Sequence, residues 1–487
     1  MYIAIFPEFF LILSISLILT YLVVLDYINK FKITLIHITG LILIIIYLLY
    51  LILLNNNIFN FIIFNNLLNS DFLVLLIKNV LIITILCCIL ISLNYIKFEN
   101  IVKYEYFILL GFASLGILTV ISSNDLISFY IAIEIQSLAF YVLSAIKIHN
   151  NFSTEAGLKY FILGAFSSGL LLFGCSFIYG SLGTTNFNEI RLLVSDFSDN
   201  IPKTFILGII FIIISLLFKI GAAPFHMWLP DVYEGVPTIL TLIYTTVPKI
   251  AILGLFLKLS ASFLQNNILF VIELLSYSAI LSIIIGTLGA LYQTKLKRLL
   301  AYSAISHIGF ILIGFISFNI WSIFSLFFYI ITYIIISLNI FSLLLIIRKA
   351  DNNLRLKKIN EFAILVKSNP LLAINFSLIL FSIAGIPPLV GFYTKWLIFI
   401  SAIKSQIFLI SIIAALFSVI AALYYIRLIK LMFFKNFNYW NLFLDLPQKE
   451  ALLISLIFVF NLLFFCYPEF IIIIIYNIIE EFFFNLF

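Results

Sequence analysis

Charge is what this chain has least of: Asp, Glu, Lys and Arg together make up 10% of 487 residues, against 64% apolar ones. A soluble domain could not hide that much apolar surface. With a mean hydropathy of +1.25, the surrounding solvent must be lipid. Cysteine is also scarce. Cys87, Cys88, Cys175 and Cys466 all lie inside apolar runs and form no C-x-x-C, so neither a zinc site nor an iron–sulfur cluster is encoded. The four histidines are scattered, and there is no G-x-G-x-x-G or Walker A loop to cradle a nucleotide. The expectation is therefore that this chain binds no cofactor and no metal. The opening Met-Tyr-Ile-Ala-Ile-Phe-Pro-Glu lacks a basic leader, so no signal or transit peptide is expected and the first span is read as retained.

What is present is a succession of apolar runs, each close to the roughly 20 residues that cross a bilayer as a helix. They fall near 3–25, 33–54, 72–93, 104–121, 126–146, 157–180, 204–224, 237–262, 268–292, 299–317, 321–347, 369–399, 405–433 and 450–475. The runs are continuous rather than alternating, which argues against a β-barrel. The expected fold is an all-α polytopic membrane protein of about fourteen transmembrane helices. Phe, Tyr, Ile, Leu, Asn and Lys dominate, a bias that also fits an AT-rich organellar genome.

The basic residues set the orientation. Of 27, eighteen fall in loops that follow odd-numbered spans, among them Lys295, Lys297, Arg298, Arg348, Lys349, Arg355, Lys357 and Lys358. The opposite loops hold only Arg191, Lys203 and Lys404. By the positive-inside rule the rich side faces inward, which places both termini on the outer side. The net charge of +6 thus reports topology and no affinity for nucleic acid.

Six basic residues remain inside spans: Lys78, Lys159, Lys219, Lys249, Lys258 and Lys395. A charge at a helix centre costs at least about 2.5–3.5 kcal/mol on insertion scales, so each needs a reason. Lys78 and Lys258 lie near span ends and can snorkel to the interface. Lys159 sits a turn or two inside its span and fits either a surface or a relay role. Glu134 stands mid-span, with Tyr130, Ser137 and Tyr141 on its face at helical spacing. Lys219 precedes Gly-Ala-Ala-Pro, where Pro224 should break the helix. Lys249 directly follows Pro248. Broken helices survive in membranes only where they are buried in protein or line a hydrated cavity, which favours Lys219 as a working group.

The run 382–396 repeats that arrangement, with small residues, a break at Pro387 and Pro388, and a lysine at Lys395. Five spans separate the two broken helices, so they run in opposite directions, as in an inverted repeat. The expected division is three N-terminal helices in 1–100, repeats in 101–265 and 266–435, and a last helix with its tail in 436–487. In the second repeat His307 shares a face with Ser303, Ser306 and Phe310, a place suited to a proton relay.

The stretches GLKYFILGAFSSGLLLFGCSFIYG, FKIGAAPFHMWLPDVYEGVPT, QTKLKRLLAYSAISHIGF and FSIAGIPPLVGFYTKW resemble the antiporter-like chain 2 family of NADH–ubiquinone oxidoreductase, respiratory complex I. The likeness covers most of 100–435. It implies two inverted five-helix repeats with broken helices, in a proton-translocating subunit of the membrane arm in the mitochondrial inner membrane. It also implies a Glu134–Lys219 pair, Lys249 as central relay and Lys395 at the second half-channel. NADH, FMN, iron–sulfur clusters and ubiquinone would be bound by other subunits, while phospholipids and neighbouring antiporter-like subunits would be the partners. At about 6 Å and an effective dielectric of about 20, Glu134 and Lys219 would attract each other by ~3 kcal/mol. Mrp-type sodium/proton antiporter subunits and plastid NADH-dehydrogenase-like subunits share the FHMWLPDVYEG signature, and a structural scaffold is the remaining alternative.

Overall fold

The computed structural model describes residues 5–25, 42–51, 61–99, 101, 103–196, 202–263, 269–317, 319–349, 355–435 and 448–466, and beyond them 468–469, 472–473 and 475–476. Lys30, Lys32 and the acidic tail at Glu480 and Glu481 lie outside them. The chain divides into two compact units, one within 1–220 and 235–271, the other within 221–234 and 272–480.

The first unit begins with α1 (Phe6–Leu25), α2 (Ile42–Leu51) and a small hairpin, β1 (Phe61–Ile63) with β2 (Leu68–Ser70). It continues through α3 (Phe72–Phe98), α4 (Lys103–Ser122), α5 (Leu126–Ser144), α6 (Asn151–Leu182), α7 (Phe187–Asp196) and α8 (Lys203–Ile220). It resumes with α10 (Thr238–Phe263), which follows α9 (Trp228–Gly235), a helix of the second unit. The second unit is built on α11 (Leu269–Leu291), α12 (Leu296–Ser317) and α13 (Ile320–Ile346). A 3-10 turn at Ile359–Ile364 then leads to α14 (Leu365–Ser368), α15 (Pro370–Ala384), α16 (Val390–Lys404), α17 (Phe408–Phe434) and α18 (Gln448–Cys466).

Each of the fourteen apolar runs contains helix, and among the described residues ten helices are long and apolar enough to cross a membrane on their own. Lipid offers the backbone no hydrogen bonds, so these runs satisfy themselves as helices. Polar side chains mark the starts: Asp125 accepts from Ile127 N at 2.7 Å and Asn150 from Phe152 N at 3.2 Å. The hairpin is the departure from an all-helical expectation. Its carbonyls serve the helix ends, with Asn124 and Asn186 amides donating to Asn66 O at 3.3 and 3.2 Å.

Two stretches of the chain repeat the same local geometry. In the first unit α4 and α5 approach so closely that a Cβ on Gly116 would lie 2.6 Å from Gln136 N. In the second, a Cβ on Gly286 of α11 would lie 2.6 Å from Ser306 N of α12. Ahead of α5, Leu126 N donates to Thr185 O and Phe187 N to Asn124 O, both at 3.0 Å. Ahead of α12, Leu296 N donates to Lys357 O at 3.1 Å and Ile359 N to Thr294 O at 3.0 Å.

The helices break where the prolines stand. α8 ends at Ile220, followed by Gly221 at φ +80° and turns through Met227. α15 ends at Ala384, followed by Gly385 at φ +86° and turns before Val390. Left-handed backbone is natural only for glycine, so glycine ends each first half and proline keeps the helix from resuming at once.

Candidate functional site

In the first unit, α5 carries Glu134 near its middle and α8 carries Lys219 in its last turn, just before the helix break. Ser137, one turn beyond Glu134, donates to its carboxylate at 3.4 Å. Glu134 Oε1 and Lys219 Nζ are both buried, and neither has a hydrogen-bond partner among the described residues. The two groups are of opposite charge and therefore attract each other. An attraction without a closed ion pair is what a reversible proton holder requires, because contact can tighten or relax. Lys249, on α10 directly after Pro248, is 5% exposed.

In the second unit Lys395 of α16 is 6% exposed and turns back across the helix break. Its Nζ donates to Ile383 O at 3.0 Å and Ala384 O at 2.8 Å, carbonyls freed where α15 stops. Gly385 makes the room, since a Cβ there would lie 3.0 Å from Lys395 Cδ. The same ammonium stands 5.5 Å from the Phe310 ring centroid on α12. His307, 9% exposed on α12, has its Nδ1 2.6 Å from the Tyr329 hydroxyl of α13. The Phe310 and Tyr329 rings stack with centroids 6.3 Å apart, so aromatic side chains link the lysine's surroundings to the histidine's.

The family is decided by comparison with known proteins. The model for the membrane domain of NADH:quinone oxidoreductases and Mrp antiporters matches residues 123–421. NADH-ubiquinone oxidoreductase chain 2 of Marchantia polymorpha is 39% identical over 483 residues, 96% of each chain. This chain belongs to the NADH-ubiquinone oxidoreductase chain 2 family. The chain 2 of Arabidopsis thaliana is 40% identical, over 83% of this chain and 80% of that one. Among solved structures, a chain of respiratory complex I from Thermus thermophilus matches with TM-score 0.78 at 25% identity, over 95% of this chain and 98% of that one. A chain of the Mrp complex from Dietzia matches with TM-score 0.81 at 17% identity, over 99% and 98%, a likeness of fold alone.

Glu134, Lys159, Lys219, Lys249, His307 and Lys395 all fall inside the segment shared with the family. Lys159 stands apart from the buried lysines, on an exposed face of α6. Its side chain is 43% exposed and pairs with Glu155 one turn away at 2.8 Å. Two lysines read as snorkelling are corrected. Lys78 is 2% exposed and closed in an ion pair with Glu8 of α1. Lys258 does not turn to water; its Nζ donates to Ile121 O and Ser123 O at the C-terminal end of α4. Sequence reasoning missed Glu8 altogether. The available signal was a carboxylate and a lysine at similar depth in spans 1 and 3, two helices expected to run in the same direction.

Proposed function

We propose that this chain is a proton-translocating, antiporter-like subunit in the membrane arm of NADH:ubiquinone oxidoreductase, sited in the mitochondrial inner membrane with both termini on the intermembrane-space side. The observation that carries the reading is the pair of buried, unpartnered polar atoms, Glu134 Oε1 and Lys219 Nζ, of opposite charge. A charged Glu134 nearby stabilises the ammonium form of Lys219. Drawing the two apart leaves a buried cation without its counter-charge, and such a group sheds its proton. Lys249 takes that proton as the central relay. Lys395, with His307 beside the stacked rings, serves the second half of the route. The two repeats, 101–265 and 266–435, each contribute one half-channel.

Electron transfer belongs to the partners, which hold NADH, FMN, the iron–sulfur clusters and ubiquinone. Their redox energy reaches this chain through the contacts of the membrane arm, and phospholipids fill its apolar periphery. The reading is tested on the assembled enzyme in liposomes carrying Glu134→Gln. The amide keeps a hydrogen-bonding group but no charge, so pumping should fall several-fold while NADH-dependent quinone reduction and assembly persist. Wild-type pumping would make Glu134 a structural tie. Sodium-driven proton exchange by a chain purified free of any NADH-oxidising assembly would favour an Mrp-type antiporter.

A further inference from the structure

In the first unit α1, α2, α3 and α4 do not close completely on one another. They leave a cavity of about 40 Å³, walled by Leu11 and Ile15 of α1, Leu43 of α2, Ile89 of α3 and Leu110 of α4. Ile18, Ile42, Ile108 and Gly111 form its half-buried rim, so the cavity opens where α1, α2 and α4 face the surroundings. A smaller cavity of about 10 Å³ continues it inward. Ile85, Ile89, Leu110 and Ser114 line both, and beyond them stand Cys88, Phe140, Ile243 and Val247. The two form one slot that leads from the rim of the bundle to α10, where Val247 directly precedes Pro248.

Water does not suit this slot. The volume would admit it, but a buried water needs two to four polar partners. Two hydroxyls line the outer cavity, and both donate to their own helices, Ser14 to Leu11 O and Ser114 to Gly111 O, each at 2.8 Å. A partner's helix, roughly 10 Å across with its side chains, is too wide. Left empty, the slot would deny its lining side chains their dispersion contacts on one side. Hydrocarbon restores those contacts and forfeits no hydrogen bond. The depth is also right. Along α4, which starts at Lys103, Phe107 and Ser114 lie about 6 and 17 Å from the helix start at roughly 1.5 Å per residue. Along α3, which ends at Phe98, Ile89 and Ile85 lie about 14 and 20 Å from that same end of the bundle. One leaflet contributes about half of a hydrocarbon core of roughly 30 Å. At this end Lys97, Lys103 and Lys147 outnumber Glu99 and Glu105, a balance that favours a phosphate headgroup.

We propose that this slot binds one acyl chain of a phospholipid whose phosphate rests where α3 stops and α4 starts. The chain enters past Ile42 and Ile108, runs between Ile85 and Leu110, and points its tip at Val247. By filling the gap it joins α1 and α2 to α3 and α4 through apolar contact. The site rests on the membrane setting of the proposed function and on no step of the proton route.

The test reconstitutes the whole enzyme with a phosphatidylcholine that carries a diazirine midway along one acyl chain. Photoadducts are then mapped by peptide mass spectrometry. In the wild type they should fall on the buried Ile85, Leu110 and Ser114 as well as on the exposed Leu90 and Phe112 of the same helices. Ser114→Leu fills the slot where its two parts meet, so the buried adducts should drop several-fold while the exposed ones persist. Should that variant fail to assemble, Ser114→Cys serves instead: a water-soluble maleimide should leave the new thiol unmodified. A diazirine-bearing free fatty acid, offered against excess unlabelled phospholipid, should leave the buried residues unlabelled. Adducts confined to Leu90 and Phe112, buried adducts undiminished in Ser114→Leu, or rapid maleimide reaction at Ser114→Cys would overturn the site. Buried adducts from the fatty acid under that competition would overturn the phospholipid as its occupant. Each of these failures leaves the proposed function standing, because pumping by Glu134→Gln tests that reading independently.

Discussion

At Lys395 one ammonium holds together the two halves of a broken helix. Lys395→Met would leave the Ile383 and Ala384 carbonyls without their donor. An orphaned buried polar group costs about 1–3 kcal/mol, so the junction between α15 and α16 should open more often. Gly385→Ala attacks the same spot from the backbone. It forces a side chain onto φ +86°, at a cost of roughly 1–2 kcal/mol, and crowds the lysine. In both variants amide exchange across 385–392 should quicken relative to wild type, and unchanged exchange would show that the lysine does not hold the break. That Lys395 is buried was legible in the sequence, because a lone lysine in a long apolar run has nowhere else to go. Its partners were not, because backbone carbonyls become acceptors only where a helix stops. Glu8 and Lys78 escaped for another reason: 70 residues separate them, and nothing local joins them.

Among the elements, the 3-10 turn at Ile359–Ile364 shows how a loop outside the membrane is fixed by one carboxylate. Glu361 accepts from Lys357 N at 2.8 Å, Lys358 N at 3.2 Å and Lys349 Nζ at 3.1 Å. Partial burial alone would raise this carboxyl, but those donors together hold it below its ordinary value of 4.5. A carboxyl depressed in the folded state stabilises it above the ordinary value and ceases to do so as pH falls through the lower one. Amide protection of residues 357–361 should hold from neutral pH down to about 4.5 and fall away below it. Glu361→Gln should lack both the protection at neutral pH and its acid-induced loss. A mutant loop as protected as the wild type would contradict the clasp. Elements like this were beyond sequence reading, as was the β1–β2 hairpin, whose two strands have three residues each. The broken helices were legible, because Gly-Ala-Ala-Pro and Gly-Ile-Pro-Pro dictate what the backbone can do wherever they stand.

For the whole molecule, the sequence carries topology and repetition in different ways. Topology lies in the uneven spread of lysine and arginine between loops, which proteolysis can check. Protease should reach the loops around 295–298 and 348–367 in inverted membrane vesicles and not in right-side-out ones. Cleavage only in the latter would reverse the orientation. Repetition was legible from paired breaks and paired lysines, while its best structural signs, the Gly116–Gln136 and Gly286–Ser306 approaches, needed coordinates. The proposed route depends above all on Lys219 carrying protons. Its most direct measurement is the number of protons pumped per NADH oxidised by the reconstituted enzyme bearing Lys219→Ala, with assembly verified. The ratio should lie well below wild type alongside continued quinone reduction; a wild-type ratio in a fully assembled enzyme would show that Lys219 carries no protons.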